Sequence, residues 1–314
     1  MPELPDVELY RRALTARVSG QPIEAVRVGN PFVVRTYDPP ITAIAGRTVR
    51  GIRRLGKRLV FGLDGTLFIV VHLMIAGRLR WRDRGAAIPG KIGLLAFDFP
   101  EGTLLLTEAG SKRQAAVHLV EGEAALGAHD PGGLEIFDAD LAAFAARLVV
   151  DNHTLKRALT DPRLFSGIGN AYSDEILHRA RLSPVALTQR LPEDGVVRLF
   201  AASRDVLLEW VERLRAETGK AFPEKVTAFR PEMSVHGRFR KPCPFCGTAV
   251  QRIAHAENEA NYCPRCQTGG KLLADRALSR LLKTDWPRTL EQMENRKAAA
   301  KGVTVILKEE ETGK

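Results

Sequence analysis

The sequence predicts a multidomain α+β protein, and three observations carry that prediction. Short apolar segments alternate with period two through the first third of the chain, apolar residues then recur with helical spacing, and the cysteines all fall between Cys243 and Cys266. Period two means strands with one buried face, and period 3.6 means amphipathic helices. The order of the patterns places an N-terminal antiparallel β-sandwich, opened by one helix, before an all-helical domain and a small cysteine-bearing hairpin.

Met1 to Val18 supplies the opening helix. Val7, Tyr10, Leu14 and Val18 share one face, Asp6 and Glu8 lie in the first turn, and Arg11, Arg12 and Arg17 follow. That charge order complements a helix dipole starting near Pro5. Strands are expected over Ile23 to Val28, Thr48 to Leu55, Arg58 to Leu63, Thr66 to Trp81, Ile92 to Phe99, Thr103 to Thr107 and Ala115 to Val120, with Asp64-Gly65 and Glu101-Gly102 as hairpin turns. Gly127 to Gly133, GAHDPGG, is a linker. Leu141, Phe144, Leu148 and Val149 then begin a helical region that continues through Thr154 to Thr160, Ala171 to Arg181 and Asp194 to Glu217. The expected domains are 1–126, 134–219, 220–268 and 269–314, the last an extension with a helix over Leu273 to Lys283 and a charged, partly disordered tail. No internal repeat is visible. The loop GAAIPG, Gly85 to Gly90, is no phosphate cradle, because no helix carrying Lys-Ser or Lys-Thr follows it.

Forty-seven Lys and Arg against 37 Asp and Glu give a net charge of +10 and a pI near 9.7. Such a balance favours a polyanionic partner, nucleic acid before a membrane surface. The longest apolar run, Leu67 to Ala76, is too short to span a bilayer and contains His72, and no signal-peptide pattern opens the chain. A soluble, cytoplasmic protein is expected.

The four cysteines read Cys243-x2-Cys246, sixteen residues, Cys263-x2-Cys266. Each pair can set two thiolates on one tight turn, and the alternation at Ala249, Val250 and Ile253 suits a hairpin that brings the turns together. That is the pattern of a closed, structural Zn2+ site. Two disulfides or four unrelated thiols are the alternatives; disulfides need an oxidising compartment, and 314 residues build a core without them. His255 lies between the pairs, but four sulfurs already close the shell, so it reads as a loop or nucleic-acid-facing residue. The surroundings are basic: Lys220 to Arg252 holds seven Lys or Arg against Glu224 and Glu232.

MPELPDVE at the start, LFSGIGNAYSDEIL at Leu164 to Leu177 and the cysteine hairpin, with Lys57 in RLGKRLVF, together resemble the formamidopyrimidine-DNA glycosylase and endonuclease VIII family over roughly residues 1 to 268. The resemblance implies a monomeric base-excision-repair enzyme, DNA glycosylase and abasic-site lyase in one. Damaged double-stranded DNA would lie kinked in a basic cleft with the lesion out of the stack, and no cofactor beyond Zn2+ is implied. It assigns Pro2 as nucleophile: with Met1 removed, a secondary amine with a pKa nearer an α-amine's than a lysine's attacks C1′, expels the base and leaves an iminium. Glu3 would shuttle protons and Lys57 would assist base loss; the iminium acidifies C2′, so β(,δ)-elimination follows. On the residues alone, Pro2 and Glu3 are an ordinary helix start. Asn170, in a helix-two-turn-helix whose glycines admit a phosphate, and Lys156 are implied DNA contacts, Asn170 being otherwise a helix cap. His72 resembles a family histidine near the lesion, or is a buried strand histidine.

The departures concern reading rather than chemistry. Asn258 stands where bacterial members carry a phosphate-gripping arginine, so phosphate affinity and the second elimination are open. The loop that fills the flipped nucleotide's hole offers Ser111, Lys112, Arg113 and Gln114 without an aromatic; Lys112 or Arg113 would enter the hole, and Met74 or Ile75 resembles a further wedge. Lys91 to Phe97 lacks the family's histidine, and Lys220 to Gly237 is shorter than the loop that caps 8-oxoguanine in well-known members. Formamidopyrimidine and oxidised purines are the implied substrates, oxidised pyrimidines the next. A non-catalytic or lyase-only binder of abasic or distorted DNA on the same scaffold is the alternative, and an RNA-associated zinc ribbon a more distant one. The sequence does not fix the lesion, the opposite base or the role of residues 269–314.

Overall fold

The computed structural model describes residues 1–110, 112–227, 229–255, 258–273, 281, 286–296 and 298–299. Their contacts form two compact units: Met1–Asp151 with Arg157–Tyr172 and Ser203–Ala228, and Asn152–Lys156 with Ser173–Ala202 and Phe229–Lys314.

The first unit opens with helix α1 (Leu4–Val18), entered through Glu3, whose backbone N–H donates to Asp6 Oδ2 at 3.0 Å. Eight strands follow: β1 (Ala25–Val28), β2 (Val49–Leu55), β3 (Arg58–Leu63), β4 (Leu67–His72), β5 (Gly77–Arg82), β6 (Gly93–Phe99), β7 (Gly102–Glu108) and β8 (Ala116–Glu121). They make two antiparallel sheets, ordered β1-β6-β7-β5 and β2-β3-β4-β8. The alternating residues of both sheets and the Val7, Tyr10, Leu14, Val18 face of α1 share one core. Tyr10, Phe61 and Phe97 are each at most 1 % exposed, and burying each contributes about 1.5–3 kcal/mol. This is the expected sandwich.

One expectation is corrected. Thr66 to Trp81 is not a single strand: β4 ends at His72, β5 starts at Gly77, and the two pair into different sheets. The turn between them demands glycine. Gly77 N–H donates to Leu73 O at 2.9 Å, and a Cβ at Gly77 would lie 2.2 Å from that oxygen. An apolar run hides this break, since the turn residues Leu73 to Ala76 are as hydrophobic as the strands beside them.

After the sandwich come the short helix α2 (Glu123–Gly127), which the sequence reading missed, then α3 (Leu141–Leu148), α4 (Leu155–Thr160), α5 (Asn170–Ala180) and α6 (Glu193–Thr218). Helix α3 is capped by Asp140, whose carboxylate accepts Ala143 N–H at 2.8 Å. Helices α5 and α6 each begin in one unit and end in the other. The second unit adds a hairpin, β9 (Gln251–His255) with β10 (Asn258–Tyr262), and the one-turn helix α7 (Pro264–Thr268). Most of the helix expected over Leu273 to Lys283 lies outside the described residues. No helix among the described residues is long and apolar enough to cross a membrane.

Candidate active site and zinc finger

The N-terminal candidates occupy the first unit. Pro2 is buried and Glu3 is 2 % exposed. The Glu3 carboxylate accepts three backbone N–H bonds: from Gly169 at 2.7 Å, Ala171 at 2.9 Å and Tyr172 at 3.2 Å. These are the orphan donors before and in the first turn of α5, where the helix dipole also favours an anion. The glycines of SGIGN make this possible. A Cβ on Gly169 would sit 2.5 Å from Glu3 Cδ, and one on Gly167, whose φ is +75°, 2.8 Å from the Leu4 side chain. Leu4 N–H also donates to Gly167 O at 2.9 Å. The Gly-rich turn therefore receives the chain's own Glu3 on these donors.

The amine of Met1, one residue before Pro2, lies within the electrostatic reach of this carboxylate. Burial holds it below the ordinary α-amine range; Glu3 and Asp6 oppose that effect, while Arg78 and Lys57 reinforce it. Lys57 is at the tip of the β2–β3 hairpin beside Gly56, whose φ is +59°, rather than on a strand. His72 closes β4 opposite Arg58, and burial, with Arg58 and Lys57 adding repulsion, lowers it to about 4. It is a neutral imidazole at pH 7. Ile75 is 59 % exposed on the following turn, and Met74 takes a left-handed φ of 52° there. In the loop after β7, the buried Glu108 accepts the N–H groups of Gln114 and Ala115 at 2.9 and 3.0 Å, while exposed Arg113 donates to Lys91 O. Ser111 lies outside the described residues.

In the second unit, Lys156 Nζ reaches Asp174 Oδ1 at 2.5 Å and Ser173 Oγ at 2.9 Å. Asp174, fully buried, also meets His236 Nδ1 at 2.8 Å and Asn261 Nδ2 at 3.2 Å. Its neighbour Glu175 accepts the N–H groups of Ser234, Val235 and His236 at 2.7 to 2.9 Å, fastening the loop before the first cysteine. Lys156 is thus fixed by a buried carboxylate. Asp174, Glu175 and His236 were not singled out from sequence; two adjacent carboxylates in the expected helix Ala171 to Arg181 were the local sign. Asn170 begins α5, beside the residues that bind Glu3. The backbone of Asn258 starts β10, paired with His255.

The cysteine pairs converge as their spacing predicts. Cys243 O accepts Gly247 N–H at 2.9 Å in a turn that needs Gly247 at φ +73°, and the second pair lies at the start of α7. Cys246 Sγ is 3.4 Å from Cys263 Sγ, and Cys243 Sγ is 4.0 Å from Cys266 Sγ. With Zn–S bonds of about 2.3 Å, a tetrahedron's edge is about 3.8 Å, and these two separations bracket it, in keeping with one structural Zn2+. Val235 and Val250 pack against them. The donor atoms of His178, Cys243, Cys263 and Cys266 all lie within 4.8 Å of one another, and His178 Nε2, from α5, is 3.4 Å from Cys243 Sγ.

Known proteins share this arrangement. The profile of the formamidopyrimidine-DNA glycosylase N-terminal domain matches residues 1–118, that of its H2TH domain residues 130–220, and a zinc finger found in FPG and IleRS residues 240–269. The formamidopyrimidine-DNA glycosylase of Variovorax paradoxus is 35 % identical over 275 residues, covering 85 % of this chain and all of that protein. The enzyme of that name from Thermus thermophilus is 35 % identical over 280 residues, 86 % of this chain and all of its own. Among solved structures, Lactococcus lactis Fpg in complex with DNA containing an abasic site superposes with a TM-score of 0.75 at 27 % identity, over 85 % of this chain and 99 % of that one. Fold and site together define a DNA glycosylase of the zinc-finger, helix-two-turn-helix class. The chain belongs to the formamidopyrimidine-DNA glycosylase family.

Proposed function

We propose that the protein is a bifunctional DNA glycosylase and abasic-site lyase of base-excision repair, acting on oxidised or ring-opened bases in double-stranded DNA. The observation that carries the reading is the Glu3 carboxylate, fixed by three backbone N–H bonds immediately beside the buried Pro2. Once Met1 is removed, the Pro2 nitrogen changes from an amide into a secondary amine. Unprotonated, it attacks C1′; the C–N bond to the base breaks, and the base takes the electron pair and a proton. Glu3, ionised and held in one orientation, relays that proton through the sugar ring oxygen or the base. The resulting iminium acidifies C2′, and loss of that proton expels the 3′ phosphate. A second elimination expels the 5′ phosphate, hydrolysis frees Pro2, and Lys57 supports base loss from the hairpin tip.

On the DNA side we assign His72, Lys156, Asn170 and Asn258 to backbone contacts and Lys112 and Arg113 to the vacated base position. The four-part division at 1–126, 134–219, 220–268 and 269–314 is kept with these roles, the third part held by Zn2+ on Cys243, Cys246, Cys263 and Cys266. We place the activity in the compartment that holds the cell's DNA, as a monomer.

The test is borohydride trapping on duplexes bearing an abasic site, formamidopyrimidine, 8-oxoguanine or an oxidised pyrimidine, with N-terminal sequencing of the protein. A covalent adduct that maps to Pro2 is the expected outcome. Tight binding to the abasic duplex without any adduct, in protein that lacks Met1 and holds zinc, would instead make it a binder.

A further inference from the structure

The zinc-finger cysteines account for four sulfur ligands, yet a side chain from a distant part of the sequence reaches the same cluster. His178 lies in the last turn of α5, 65 residues before Cys243, and is 4 % exposed. Its Nε2 sits 3.4 Å from Cys243 Sγ, an N–H···S hydrogen-bond distance, and the ring packs edge-on against Phe245 at 5.3 Å between centroids.

A four-thiolate zinc centre carries two net negative charges. Cys243 and Cys263 are both buried, at 2 % and 0 % exposure, so water does not solvate their share. Buried charge needs hydrogen-bond donors. Cys263 Sγ receives one locally, from Cys266 N–H at 3.5 Å. For Cys243 the structure supplies a hydrogen-bonding partner from outside the finger, the imidazole of His178. Arg179 and Arg181 line the same cleft with Phe245 and Cys266, which makes the surroundings of the thiolates cationic. A ring nitrogen of His178 lies within 4.8 Å of the sulfurs of Cys243, Cys263 and Cys266, but four cysteines complete zinc's shell by themselves, which puts the imidazole beside a ligand rather than on the metal.

We propose that His178 is a positioning residue of the zinc centre, donating its Nε2–H to the Cys243 thiolate and thereby lowering that sulfur's charge and slowing metal loss. Groups of this kind around metal ligands alter affinity by roughly 10- to 100-fold when removed. The inference is independent of base removal, because zinc binding is read without DNA.

The test uses the full-length chain loaded with Co2+ in place of Zn2+, and zinc release to a chromogenic chelator. A hydrogen bond to sulfur stabilises the thiolate electrons, so His178→Phe moves the sulfur-to-cobalt charge-transfer band to longer wavelength and speeds zinc loss about tenfold or more. His178→Gln, which keeps an N–H donor, restores most of both properties. In the wild-type background, Cys246→Ser reduces the charge-transfer intensity by the share of one thiolate. An unmoved band and unchanged zinc release in His178→Phe would overturn the proposal. Equal behaviour of the Phe and Gln variants would also overturn it, leaving only packing; full retention of intensity in Cys246→Ser would do so by making His178 the fourth ligand.

Discussion

At Gly169 one hydrogen atom decides where the Glu3 carboxylate sits. A methyl there would overlap Glu3 Cδ at 2.5 Å, and the neighbour is a side chain pinned by three N–H bonds. Gly169→Ala should therefore lower single-turnover base release by about 100-fold, the scale of a misplaced acid/base group, with zinc content unchanged. An Ala variant within twofold of wild type would separate Glu3's position from its role. Asn258 offers the opposite kind of test. Asn258→Arg adds the cation that bacterial relatives carry, so binding to an abasic duplex should tighten and the salt dependence should steepen by about one unit in log–log slope. Fluorescence anisotropy across a salt series measures both. Neither Glu3's partners nor His178's was legible in the sequence. The donors to Glu3 are 166 to 169 residues away, and nothing local to a glutamate at a helix start tells a cap from a charge held by another helix.

At the scale of elements, legibility followed burial. Strands β2 and β3 showed themselves because one face of each is in the core, and the Cys-x2-Cys turns because metal geometry is local. The break between β4 and β5 was hidden because hydrophobic residues fill both the strands and the turn; only Gly77 marked it. Gly77→Ala forces the alanine methyl against Leu73 O, which costs about 2 kcal/mol or more unless the turn opens. Urea unfolding should show a lower midpoint with the same slope, and an unchanged midpoint would mean that the turn yields without penalty.

For the molecule as a whole, pH is the informative variable. His72, on β4, and His118, on β8, are both lowered to about 4, first by burial and then by nearby cations including Arg58; His129 packs against His118 at 4.6 Å. An unfolded chain protonates these groups near 6.5. Their contribution to stability is thus complete above pH 6.5 and is lost as pH falls toward 4, because only the unfolded state takes up protons in that window. Denaturation midpoints measured from pH 7 to 4 should decline, and His118→Gln should flatten part of the decline. A wild-type midpoint constant over that range would show that the imidazoles are not held neutral.

The burial of Pro2 also sets an order of events in time. The groups that clasp the first residues, Gly167 to Tyr172, are synthesised about 165 residues after them, which at roughly 5–20 residues per second is on the order of ten to thirty seconds. During that interval the N-terminus is unclasped and open to an aminopeptidase; afterwards Pro2 is buried and Met1 half-buried against the folded protein. On the proposed mechanism, trimming of Met1 is therefore easiest during synthesis, and a molecule that keeps Met1 folds and binds zinc while its Pro2 nitrogen stays an amide.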